Sequence, residues 1–196
     1  MRRLVVSEFV SLDGVMEDPG GAERSKHGGW SHQFWSEEAA RFKFDELFAS
    51  DALLLGRVTY QGFAKAWPSM KDDQGFADRM NGLPKFVVST TLAEVEWNNS
   101  RLVRGDVAEE VSNLKQQAGQ DILVAGSGRL VDTLMRRDLV DEYRIMVHPV
   151  VLGGGKRLFG EGSDRKVLRL VKSKKFGSGV VLLFYQPART EGKRKK

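Results

Sequence analysis

The sequence predicts an α/β fold with a mixed, mostly parallel sheet. Strand-like apolar runs and helix-like segments alternate along nearly the whole chain, as strand–helix–strand units do. Two of those runs, Leu53-Leu54-Leu55-Gly56 and Ile122-Leu123-Val124-Ala125-Gly126, stop at a glycine and pass directly into a helix-compatible stretch. The last two runs flank Gly177-Ser178-Gly179 and read as an antiparallel hairpin closing the sheet.

The elements follow in order. Leu4–Val10 is a strand, and residues 12–32 form a long, polar, glycine-rich connection. A helix is expected from about Gln33 to Ala49, with Ala40, Phe44, Leu47 and Phe48 on its inner side. Strand 52–55 hands over to a short helix from Arg57, and 65–83 reads as loop with a helical turn near Gly75–Met80. Phe86-Val87-Val88-Ser89 is a strand, and Arg101–Arg104 a short one. Asp106 caps a helix with Glu109 three residues on; Val107, Val111, Leu114 and Ala118 give its inner face, and Gly119 ends it. Strand 121–125 precedes a helix from about Ser127 to Arg137, with Leu130, Val131, Leu134 and Met135 inward. Glu142–Val150 is a strand, and Lys166–Phe176 with Val180–Gln186 make the hairpin.

The chain of 196 residues suits one domain, 1–188, with 189–196 as a tail. It contains no cysteine, which excludes disulfides, thiolate catalysis, cysteine-ligated zinc and iron–sulfur clusters. Its net charge is +5, but 189–196 holds five basic residues and one acid, leaving the body near neutral. That tail reads as disordered and solvated, and nucleic acid is not an expected partner. Ser7 and Glu8 interrupt the first apolar run, and no stretch approaches the roughly 20 apolar residues of a membrane span. The cytoplasm is the expected compartment.

Each glycine junction carries an arginine, Arg57 and Arg129. A glycine permits close backbone approach, and the first amides of the following helix offer a positive end to an anion. Two such junctions point to a polyphosphate ligand, hence a nucleotide cofactor. The standard dinucleotide fingerprint fails, because Gly126-x-Gly128 lacks its third glycine at Val131 and lies late in the chain. A Walker loop is absent. The histidines His27 and His32 lack the spacing of a zinc pair, so no metal is expected.

Gly56-Arg57-x-Thr59-Tyr60, Val87-Val88-Ser89-Thr90 and Gly126-Ser127-Gly128-Arg129-Leu130 resemble, in order and spacing, the cofactor segments of the dihydrofolate-reductase fold. Ser11-Leu12-Asp13-Gly14, the run His148–Lys156 and Gly177-Ser178-Gly179-Val180 narrow the likeness to the reductase domain of bacterial riboflavin biosynthesis (the RibD C-terminal domain) and its stand-alone relatives, over about residues 2–186. The resemblance implies a three-layer α/β/α fold and NADP(H) binding. It sets Arg57 and Thr59 against the adenosine 2′-phosphate and pyrophosphate, Ser89 and Thr90 near the adenine-ribose phosphate, and Gly56, Gly126, Ser127, Gly128, Arg129 and Leu130 around the pyrophosphate. Arginine favours NADP independently, since it keeps its charge and can bind phosphate through two N–H groups. No acid is placed to hold a free 2′-hydroxyl.

The nicotinamide should point toward Ser11-Leu12-Asp13-Gly14. Asp13 is the first candidate for catalysis and substrate holding, with Gly14 beside it; the competing reading is an Asp-Gly turn bonded to its own backbone. His148 and Gly154 are further substrate candidates, although Gly153-Gly154-Gly155 reads equally as a flexible turn. Glu37 and Glu38 fall where folate enzymes carry their acid, but the flanking residues do not match. Trp30, Phe34 and Trp35 form either a pocket wall or helix packing, and the 14–32 loop has the length of a lid. The leading expectation is an NADPH-dependent reductase of a small pterin- or pyrimidine-like substrate. The alternatives are the 5-amino-6-(5-phosphoribosylamino)uracil reductase of riboflavin synthesis and a non-catalytic NADP-binding protein. A homodimer is expected on the frequency of symmetric pairs.

Overall fold

The computed structural model describes residues 1–160 and 162–188; the tail assigned to 189–196 lies outside them. Eight strands form one sheet: β1 (Leu4–Ser11), β2 (Ser50–Gly56), β3 (Lys85–Val88), β4 (Ser100–Val103), β5 (Asp121–Ala125), β6 (Glu142–His148), β7 (Leu168–Lys175) and β8 (Val181–Pro187). Their order is β4-β3-β2-β5-β1-β6-β8-β7. The first six are parallel neighbours, whereas β8 runs antiparallel to β6 and β7 antiparallel to β8. The sheet is mixed and mostly parallel, as the alternating pattern predicts.

Helices α1 (Glu37–Phe48), α2 (Arg57–Ala66) and α3 (Phe76–Gly82) cover one face; α4 (Val107–Gln116) and α5 (Gly128–Arg136) cover the other. Strand periodicity divides the apolar residues between them. Val5, Leu53, Leu55, Val87 and Leu123 meet Leu47, Tyr60 and Met80 on the first face. Leu4, Val6, Leu54, Ile122 and Val124 meet Val111, Leu114, Leu130, Val131 and Leu134 on the second. Central strands are therefore apolar on both sides, which is why they read as continuous runs rather than alternations.

Three expectations need correction. The helix expected over 33–49 is two elements. His32–Phe34 is a 3-10 turn, Trp35 is extended, and α1 starts only after Ser36, whose hydroxyl accepts the Ala39 amide at 3.3 Å. Its buried residues are Ala39, Glu46 and Leu47, while Phe48 is exposed and stacks on Phe44. The helix is rotated because the sheet beneath it is polar: Glu46 accepts from Ser7 Oγ at 2.8 Å and pairs with Arg144 at 3.3 Å, and Lys43 bonds the same Ser7 hydroxyl.

Residues 65–83 are largely helical rather than loop. The chain completes α2, makes a 3-10 turn at Trp67–Ser69 and forms α3. The Asp72 carboxylate accepts the amides of Gln74, Phe76 and Ala77 at 2.9, 3.0 and 2.6 Å, giving α3 the cap that its sequence does not display. Finally, α4 stops at Gln116, so Ala118 is exposed beyond it and does not pack inward.

Candidate functional site: a glycine cradle between adjacent strands

The two glycine junctions meet. Strands β2 and β5 are hydrogen-bonded neighbours, yet α2 leaves β2 toward one face and α5 leaves β5 toward the other. Neighbouring strands whose helices diverge open a crevice at their carboxyl ends. The junctions are stitched across it: the Gly56 amide donates to Ser127 Oγ at 2.8 Å, and that hydroxyl donates to the Ala125 carbonyl at 3.1 Å. Gly126 and Ser127 are both left-handed, at φ 56° and 67°, and this double turn sets the start of α5 beside the start of α2. The approach excludes a larger residue, since a Cβ at Gly126 would lie 2.6 Å from Thr59 Oγ1. The first amides of both helices, without partners inside their helices, therefore face one crevice.

The expected cofactor residues divide within this arrangement. Gly56, Thr59, Gly126, Ser127 and Gly128 are in or against the stitch. Leu130 has its side chain buried in the core. Arg57 and Arg129 are exposed at the rim. Among the described residues Arg57 donates to Gln61 one turn along its helix, at 3.1 Å, and Arg129 lies near enough to Lys156 to repel its ammonium. Ser89 follows β3 at the same carboxyl end of the parallel strands, but its buried hydroxyl accepts the amides of Thr91 and Leu92 at 3.1 and 3.0 Å. Thr90 beside it is exposed.

The substrate candidates separate. Asp13 and Gly14 line a cavity of about 150 Å³ with Val10, Ile145, Arg157, Leu158 and Phe159. The Asp13 carboxylate is a clasp between the exits of β1 and β6. It accepts from Ser11 Oγ at 2.6 Å and from the amides of Leu152 and Gly153 at 3.1 and 3.0 Å. The Ser11 hydroxyl, followed by those two amides, holds the carboxyl down at about 2. Arg157 donates to the Asp13 carbonyl, so this clasp also fixes the guanidinium at the cavity.

His148 faces the opposite side of the sheet, buried among Phe9, Trp30 and Phe34 at ring separations of 5.2, 5.1 and 5.9 Å. Its Nδ1 lies 2.9 Å from the Met146 carbonyl, and burial holds its pKa below the usual histidine value. Gly154 is exposed in its loop, with open space where a Cβ would stand. Trp30 is core: its indole N–H donates to the Glu17 carbonyl at 2.8 Å and anchors the 12–32 loop. That loop folds over the cradle, placing Met16 Sδ 2.9 Å from where a Cβ on Gly128 would stand. A larger hollow of about 450 Å³ lies elsewhere, between α1 and the β7–β8 hairpin, and holds none of the cradle residues. There Glu38 accepts the Gly177 amide at 3.0 Å and lies 3.4 Å from Lys174, tying α1 to the hairpin turn.

Sequence reasoning missed Glu8. This carboxyl sits in the middle of β1, 4% exposed, and accepts the Gly126 amide at 3.1 Å through Oε2. The available signal was a lone charge between Val6 and Val10 on a strand with core on both sides. Among the described residues, no group of acidic residues and histidines is arranged to hold a metal, and no helix is long and apolar enough to cross a membrane.

Known proteins resemble this chain in sequence or in fold. The uncharacterized protein YyaP of Bacillus subtilis is 31% identical over 188 residues, covering 94% of each chain. A crystal structure of a putative riboflavin biosynthesis protein from Shewanella sp. PV-4 superimposes with a TM-score of 0.76 at 25% identity, covering 95% of this chain and 99% of that one. Dihydrofolate reductase from Enterococcus faecalis, solved with NADP(H), shares the fold with a TM-score of 0.60 at 14% identity, covering 94% and 96%. The model of the RibD C-terminal domain matches residues 2–182. With its stitched glycine junctions, parallel sheet and closing hairpin, the chain belongs to the RibD C-terminal domain family.

Proposed function

We propose that the protein is an NADPH-dependent reductase of a small, pterin- or pyrimidine-like compound. The observation that carries this reading is the contact of the two junctions, Gly56 to Ser127 and Thr59 against Gly126. A diphosphate fits such a crevice because amides and helix dipoles converge there and two guanidinium groups stand at its rim. The absence of a Cβ at Gly126 and Gly128 lets Thr59 and Met16 close against the backbone, which brings the two helix starts together around the crevice. NADPH, when bound, supplies the hydride; the residues of this chain bind, orient and exclude water. Arg57 serves the 2′-phosphate, with Ser89 and Thr90 on the adjoining strand end. Asp13 shapes the substrate side by holding Arg157 and the 152–153 turn against the cavity. His148 and Gly154 take supporting places, the first behind the sheet and the second in the loop that follows β6.

The pathway name attached to the Shewanella relative favours a second, narrower reading, reduction of the ribosylaminopyrimidine of riboflavin synthesis. Arg157 at the cavity is the cation such a phosphorylated substrate would use. A homodimer is proposed through the outer strand β7, on which Leu170 and Val171 are exposed, with Val167 exposed just before it. The test is NADPH binding by fluorescence, followed by its oxidation with folates, pterins and pyrimidine ribityl phosphates. Turnover of one class supports the proposal. Binding without turnover leaves an NADP-binding protein that is not a reductase, and no binding refutes it.

A further inference from the structure

Glu8 stands at the sheet-side floor of the cradle. On one side its Oε2 accepts the amide of Gly126, the first glycine of the double turn. On the other its strand partner is Ile145, which together with Val10, two residues along the same face, lines the 150 Å³ cavity. Its second oxygen, Oε1, is buried and has no hydrogen-bond partner among the described residues. Buried polar atoms are otherwise nearly all paired, so an oxygen left single beside a ligand crevice marks a partner that arrives with the ligand.

We propose that Glu8 is the hydrogen-bond donor that receives the carboxamide oxygen of the coenzyme's nicotinamide. The inference rests on the coenzyme reading above and adds a residue and an atom to it. Oε2 accepts from Gly126, so in the neutral acid Oε1 carries the proton and is a donor in want of an acceptor. Burial drives this carboxyl well above the usual carboxylate range, outweighing Lys43 and the Gly126 amide, which lower it; the charge of Glu46, on α1 across the sheet, raises it further. A neutral acid also tolerates a diphosphate nearby, which an ionised one would repel. The polar ends of the coenzyme sort accordingly. Its phosphates go to the rim, where Arg57 and Arg129 are exposed, and its uncharged amide goes inward to Glu8.

The experiment compares NADPH with adenosine 2′,5′-bisphosphate, which carries the adenine end without the nicotinamide, on wild type, Glu8→Gln and Glu8→Leu. Glu8→Leu should weaken NADPH roughly tenfold and leave the bisphosphate unchanged, while Glu8→Gln, which still accepts from Gly126 and still donates, should keep most of the affinity. The infrared difference between wild type and Glu8→Gln at neutral pH should contain a protonated-carboxyl band that moves to lower frequency when NADPH binds. Equal loss of both ligands in Glu8→Leu, an unchanged NADPH affinity, or an ionised Glu8 band overturns this inference while leaving the coenzyme reading intact. Failure of both ligands to bind wild type overturns the two together. If Glu8→Leu does not fold, the Glu8→Gln affinities and the infrared band decide.

Discussion

Replacing Gly126 by alanine attacks the cradle at its tightest point. The new Cβ would stand 2.6 Å from Thr59 Oγ1 and 3.0 Å from Thr59 Cγ2, and the residue must hold φ 56°. The left-handed backbone costs an alanine about 1–2 kcal/mol, and overpacking against a fixed side chain adds about 1–3 kcal/mol. The sum, about 2–5 kcal/mol, lowers the melting temperature by roughly 5–15 °C for a chain of this size. The two contributions separate in a double-mutant cycle. Thr59→Ala removes both clashing atoms, so Gly126→Ala in that background should lose only the backbone share, with a coupling of about 1–3 kcal/mol. Urea denaturation of the four proteins gives the coupling, and NADPH titration of the same set shows whether affinity falls with it. Strictly additive stabilities would mean that Thr59 and Gly126 do not touch, and the stitched crevice would be wrong.

Three other perturbations probe different parts of the account. Arg57→Ala should weaken NADPH about 10- to 100-fold while barely changing NADH, the scale of losing a charge-assisted phosphate contact; titration with each coenzyme measures the ratio, and equal losses would remove Arg57 from the 2′-phosphate. Arg144→Leu leaves the carboxylates of Glu46, Glu142 and Asp121 without the guanidinium that they share at 3.3, 2.7 and 3.5 Å, and should cost about 3–5 kcal/mol in urea unfolding. Asp13 has a folded pKa depressed to about 2, below its unfolded value of about 3.9, so its contribution is full above the unfolded value and is lost as pH falls through the folded one. Stability measured from pH 5 to pH 2 should fall more steeply for wild type than for Asp13→Asn, and parallel curves would refute the clasp.

Much of the fold is legible in the sequence because parallel strands covered on both faces leave continuous apolar runs, and the glycines that end β2 and β5 mark their exits. The contact between those exits is not legible in either segment alone. It follows from strand order, which puts β5 beside β2 although 64 residues separate Gly56 from Asp121, the end of one strand from the start of the other. Where side-chain chemistry departs from the apolar code, the reading fails. Helix α1 turns Lys43 and Glu46 inward because Ser7 and Arg144 await them, so its apolar residues misplace its inner face. Helix α3 owes its start to Asp72, four residues upstream of Phe76, a polar cap hidden in a polar stretch. Glu8 resembles a strand interruption in sequence and becomes conspicuous only once both faces of β1 are seen to be covered. His148 stands out in sequence by its place at a strand end, and the alternation of β6 sets it among Phe9, Trp30 and Phe34, surroundings that strand order alone does not reveal.

The most direct measurement is an amide chemical-shift titration of the unmodified protein with NADPH. The account predicts saturable binding, with the largest shifts at Gly56, Arg57, Gly126, Ser127 and Gly128. Absence of binding, or shifts gathered at the hollow between α1 and the β7–β8 hairpin, would contradict it.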